Sequence, residues 1–245
     1  MKKAWKCCSA LMLTAMILMT TVGCGGTAVH FENGDFKFCS RTLGLYIEDL
    51  TAEGQQKRVL IVPEELDGIP IKGLQNRNLL WGGGTWKSEK LEKLYLPWNM
   101  PGDKAMLNPC HNLHSVFVLN YDLDGNSLDY VHREGLFFYV NWNLFEEVYN
   151  FHSIYGRPAN VSYYYNDGRT ENYGCYWLDN VPYGSVLDVL PPKDPVSEGK
   201  TFAGWYKEPE CISVWDFETD TTPEEKLDED GNVIYQETAL YAKWI

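Results

Sequence analysis

A mainly β, α+β chain built as two modules is predicted by three features of the sequence. Short runs rich in β-branched and aromatic residues recur through the first half, as in Val59-Leu-Ile-Val62, Lys93-Leu-Tyr-Leu96 and Ser115-Val-Phe-Val118. Strict alternation of large and small or polar residues returns near the C-terminus, most clearly in Leu240-Tyr-Ala-Lys-Trp244. Gly, Pro and Asp-Gly steps separate these runs, and one short segment, Leu144 to Tyr149, carries helical spacing.

The N-terminus sets the address. Lys2, Lys3 and Lys6 precede an apolar run from Ala10 to Val22 that ends at Gly23-Cys24. At about 1.5 Å per residue this run spans roughly 20 Å as a helix, short of the ~30 Å of a bilayer core. A cleaved secretory signal over residues 1–23 is therefore expected rather than a permanent span. Thr21-Val22-Gly23-Cys24 resembles the lipobox of bacterial lipoproteins, with Thr21 in place of the usual Leu. That resemblance implies diacylglycerol on the Cys24 thiol and a lipid anchor at the outer face of the membrane or cell surface. Residues 24–30 are then expected to be a tether.

Removal of the signal leaves 18 basic and 34 acidic residues, a net charge of −16. Such a surface repels nucleic acid, so no nucleic-acid partner is expected. Cys39, Cys110, Cys175 and Cys211 remain, each beside aromatic or β-branched neighbours as buried thiols often are. Cys175 with Cys211 is the one pairing worth testing.

The first module is expected over residues 31–154. Phe36 and Phe38 share one parity, Leu45 and Ile47 open a second run, and Asp67-Gly68 marks a turn. The phrase Arg58-Val-Leu-Ile-Val-Pro63 is echoed by Lys93-Leu-Tyr-Leu-Pro97 and by Ser115-Val-Phe-Val-Leu119. Strands recurring at such intervals point to a short solenoid. Cys110-His-Asn-Leu113-His-Ser-Val116-Phe-Val118 resembles the leucine-rich repeats of bacterial surface antigens, and Ile61-Val-Pro to Ile71 resembles their entry repeat. The likeness covers about residues 34 to 120 and is irregular at Trp81-Gly-Gly-Gly-Thr-Trp86 and Pro97-Trp-Asn-Met-Pro-Gly102. Phe137-Phe-Tyr-Val140 and the helix after it would cap the repeat core.

The second module is expected over residues 155–245. Glu198-Gly-Lys-Thr-Phe-Ala-Gly-Trp-Tyr206, Trp215-Asp-Phe217 and Leu240-Tyr-Ala-Lys-Trp244 follow one another in order. They resemble the Listeria–Bacteroides repeat, also called the internalin B-repeat, which implies a small β-grasp-like unit. The segment Thr221 to Glu237 is longer than that pattern, and Asp230-Gly231 suggests a hairpin within it. Gly204 is expected to let a ring such as Trp215 lie against the backbone.

Chemistry is sparsely signalled. Cys110, His111 and His114 supply three soft donors but no fourth ligand, and the repeat pattern already assigns Cys110 to the core. Asn120 to Gly125 opens like a calcium loop, yet Val131 stands where a bidentate Glu is needed. Gly82-Gly-Gly84 lacks the Lys-Ser/Thr of a phosphate loop, and no nucleophile elbow or zinc-protease helix occurs. No cofactor, metal or catalytic residue is assigned. Trp81, Trp86 and Trp98 sit beside Gly and Pro, where rings are either displayed for binding or fill gaps in an irregular core. The expected role is adhesion or recognition of a protein or glycan partner by a lipid-anchored surface protein that is not an enzyme. A structural spacer or envelope-assembly component without a ligand is the alternative, and after it a cell-wall or polysaccharide hydrolase.

Overall fold

The structure, a computed structural model, describes residues 28–42, 44–74, 86–98, 100, 107–121, 133–145 and 156–245. These residues are mainly β. By its internal contacts the chain divides into two compact units, residues 1–114 with 126–134 and residues 115–125 with 135–245. The expected boundary near residue 155 lies inside the second unit.

In the first unit, β1 (Val29–Asn33), β2 (Phe36–Arg41) and β3 (Gly44–Leu50) form an antiparallel meander. The first strand starts within the segment expected to be a tether, because Val29 and His30 already pair with Ser40 and Cys39. After β4 (Val59–Ile61), β5 (Glu65–Leu66) and β6 (Ile69–Leu74) make a tight hairpin, whose Asp67 and Gly68 both have positive φ as Asp-Gly turns require. β6 then lies parallel to β3. The repeated phrase behaves as one structural unit here, since β4 pairs in parallel with β7 (Lys93–Leu96) from Val59–Lys93 to Ile61–Tyr95. Phe38, Ile47, Leu60, Trp86, Leu91, Leu94, Cys110 and Leu113 are buried in this unit.

In the second unit, β8 (Ser115–Val118), β9 (Phe137–Val140) and β10 (Gly156–Pro158) are parallel neighbours. Residues 142–145 are helical, and the remainder of the expected helix to Tyr149 lies outside the described residues. The last four strands are β11 (Val161–Tyr164), β12 (Cys175–Asp179), β13 (Phe202–Tyr206) and β14 (Thr238–Trp244). Their order is β12-β11-β14-β13, with the central β11 and β14 parallel and both outer pairs antiparallel. Asn166 and Gly168, at φ 51° and 93°, turn the chain between β11 and β12.

β13 departs from simple alternation. Its register shifts between Phe202 and Trp205, where Gly204 has φ 119°. The irregularity puts Phe202 and Trp205 together, with ring centroids 5.1 Å apart. Nothing stands within 4 Å of a Cβ built on Gly204, so no ring lies against it. Gly204 is there for its backbone angle, not as a seat for Trp215.

Candidate binding surface

Of the three tryptophans that the sequence offers for either display or gap-filling, Trp81 lies outside the described residues, as does Cys24, the residue expected to carry the lipid. Trp86 is fully buried. Its ring tilts against Phe36 at 5.8 Å, and its carbonyl accepts a hydrogen bond from the Cys110 thiol at 3.1 Å. Trp86 therefore fills the core and is removed from the candidate surface. Trp98 is half-buried, at a tight turn where Met100 N–H donates to the Trp98 carbonyl at 2.7 Å.

Among the described residues, an aromatic surface belongs instead to the C-terminal sheet. Alternation along β11 and β14 sends Val161, Tyr163, Leu240 and Ala242 to one face, where all four are fully buried. Trp205 joins them, edge-on to Tyr163 at 4.9 Å. The opposite face carries a cross-strand row. Tyr164 pairs with Tyr241, and Tyr241 pairs with Tyr206. The Tyr164 and Tyr241 rings stack at 5.5 Å, and Lys243 Nζ sits 4.7 Å over the Tyr206 ring.

One end of this face is closed by the chain itself. Asn141 Nδ2 donates to Tyr164 Oη at 3.1 Å and to Ser162 Oγ at 3.3 Å. Tyr164 Oη in turn donates to Glu237 Oε1 at 2.8 Å. Burial, and then the Glu237 carboxylate, hold this phenol well above its ordinary pKa, so it stays a neutral donor. The other end, with Tyr241, Tyr206 and Lys243, is half-open. Lys243 also borders an open depression lined by Asn166, Lys200, Glu210, Cys211 and Trp244. Rings held by stacking or by a cation, beside Lys200, Lys243 and Glu210, can stack on a sugar face or anchor a side chain at low ordering cost. Tyr206, Tyr241 and Lys243 were visible in the sequence only as members of β strands. The register that makes the tyrosines a row is a long-range property.

The other chemical motifs resolve individually. Cys110 is buried against Trp86, whereas His111 and His114 are exposed, and the three do not converge. Burial pushes the Cys110 thiol up to about 11. Of the calcium-like loop at Asn120, residues 122–132 lie outside the described residues. Asp228 to Asn232 is a turn closed on itself: Asp228 Oδ1 accepts from the N–H groups of Asp230 and Asn232, and Leu227 bridges Val233. Cys175 and Cys211 both carry free thiols. Burial raises the pKa of Cys175 strongly, while Cys211 is partly accessible and accepts from Asn166 Nδ2 at 3.4 Å.

Comparison with known proteins adds a repeat-family match over part of the chain and a relative matched over a short stretch. No solved structure matches the chain. A protein of Evansella cellulosilytica named "Putative membrane protein" is 37% identical over 62 residues, covering 25% of this chain and 7% of that protein. The chain thus spans a small part of that relative's length. Among the described residues, no helix is long and apolar enough to cross a membrane. Residues 160–243, which hold three strands of the C-terminal sheet and all of β14 but Trp244, match the model of the Listeria-Bacteroides repeat domain. The C-terminal module is therefore similar in sequence to that repeat over nearly all of its sheet.

Proposed function

We propose that this chain is a surface protein, lipid-anchored through Cys24, whose C-terminal repeat recognises a protein or glycan partner. The observation that carries the reading is the tyrosine row Tyr164–Tyr241–Tyr206 with Lys243, half-open on one face of a sheet whose other face is a closed core. The repeat match over residues 160–243 and the relative named as a membrane protein support placement at the cell surface. The strand order β12-β11-β14-β13, with a parallel central pair, supports a β-grasp-like description of the repeat. The parallel β4–β7 pair supports an irregular leucine-rich-repeat-like solenoid before it. We read the protein as a non-enzyme, since the sequence carries no nucleophile elbow or zinc-protease helix.

A net charge of −13 over the full sequence narrows the partner. Neutral glycans or basic protein surfaces suit it, and polyanions do not. The test is a screen of the signal-free chain on arrays of neutral glycans and purified surface proteins. Saturable binding of one ligand class is expected. Silence on both arrays would favour the second reading, a spacer with no ligand, which the full burial of Trp86 supports.

A further inference from the structure

We propose that His30, Cys39 and Glu48 form a binding site for a zinc-type divalent cation that ties the first three strands together. One donor comes from each strand: His30 from β1, Cys39 from β2 and Glu48 from β3. Their donor atoms all lie within 4.8 Å of one another. A sulfur, a nitrogen and an oxygen at that separation match the mixed ligand set that zinc accepts. Zinc bonds of about 2.0–2.3 Å put tetrahedral donors roughly 3.3–3.8 Å apart. Small side-chain rotations reach that geometry.

Backbone register makes the convergence. His30 stands directly opposite Cys39 across the β1–β2 pair. In the β2–β3 pair Lys37 faces Asp49 while Phe38 faces Ile47, so Glu48 is the extra residue of a bulge. Bulges re-aim a side chain and bring two neighbours to one face. Here Asp49 meets Lys37 at 3.4 Å, and the Glu48 carboxylate turns to His30, 2.9 Å from Nδ1. The site is enclosed on one side and open on the other. Cys39 is fully buried and the Glu48 side chain is 4% exposed, whereas His30 is exposed enough to admit an ion.

Second-layer contacts suit a bound thiolate. Arg41 Nε donates to Cys39 Sγ at 3.3 Å. That contact gives the sulfur the outer-layer hydrogen bond that orients a metal-bound cysteine. The remaining coordination position falls to water at the open side. The ion would act as a clip on the edge meander, whose outermost strand otherwise pairs with β2 alone among the described strands.

Cobalt(II) titration of the full chain tests this, with Cys7, Cys8 and Cys24 replaced by serine to silence the N-terminal thiols. One Co²⁺ per chain is expected, with a thiolate-to-cobalt charge-transfer band that Zn²⁺ abolishes by displacement. Cys39→Ser should lose the band, and Cys211→Ser should keep it. His30→Ala, at an exposed position that leaves the core intact, should weaken Co²⁺ binding by about tenfold or more. No band, a band surviving Cys39→Ser, or unchanged affinity in His30→Ala would each overturn the proposal. If Cys39→Ser loses the far-ultraviolet circular dichroism of the parent, the His30→Ala affinity decides.

Discussion

Single side chains in the first unit separate what composition can say from what packing decides. Cys110 looks like a metal ligand beside two histidines, yet its thiol is spent on the Trp86 carbonyl inside the core. Burial sets its titration: the native thiol keeps its proton to about 11, against 9.0 for an unburied thiol. Its contribution to stability is therefore complete below pH 9 and lost as pH rises toward 11. Urea midpoints measured from pH 8 to 11 should fall across that window, and Cys110→Ala should flatten part of the fall. Gly54 gives a steric counterpart. A Cβ there would be driven into the backbone carbonyl of Asp35, which already accepts from Thr51 N–H at 3.0 Å. Gly54→Ala should cost about 2 kcal/mol or more in urea unfolding. For Trp86 the sequence left display and gap-filling open, because its near neighbours Gly84, Thr85 and Lys87 carry no burial pattern, whereas in space it meets Phe36 and Cys110.

β14 is the element on which the C-terminal sheet depends. It pairs with β11 on one side and β13 on the other, and its alternation sends Leu240 and Ala242 inward and Tyr241 and Lys243 outward. Leu240→Ala should cost about 3 kcal/mol in denaturant unfolding, as buried Leu truncations do. Tyr241→Ala, on the half-open face, should cost about 1 kcal/mol, mostly its stacking on Tyr164. A reversed ranking would mean that the two faces are wrongly assigned. The alternation of β14 was legible in the sequence because period-two burial writes itself directly into residue type. The bulges at Glu48 and near Gly204 were not. Each depends on a partner strand's register, and neither residue type demands a bulge by itself.

At the scale of the whole chain, the apolar N-terminal run, the acid excess and the C-terminal repeat are read from local sequence. Which aromatic rings form one surface is not. The tyrosine row joins residues 164, 206 and 241 through two strand pairings, and no local window contains it. The proposed anchor is checked in the producing cell: palmitate labelling should be lost in Cys24→Ser, with the protein shed to the medium, since stable attachment would require the acyl chains. Recognition by the tyrosine face is the claim most exposed to test. The decisive measurement is isothermal titration of the ligand found by array, using the signal-free chain, the double variant Tyr206→Ala/Tyr241→Ala, and Trp98→Ala. A loss of affinity of about tenfold or more is expected in the double variant, the scale of a lost anchor residue, with Trp98→Ala unchanged. Equal affinity for all three, in variants whose circular dichroism matches the parent, would place the binding surface elsewhere.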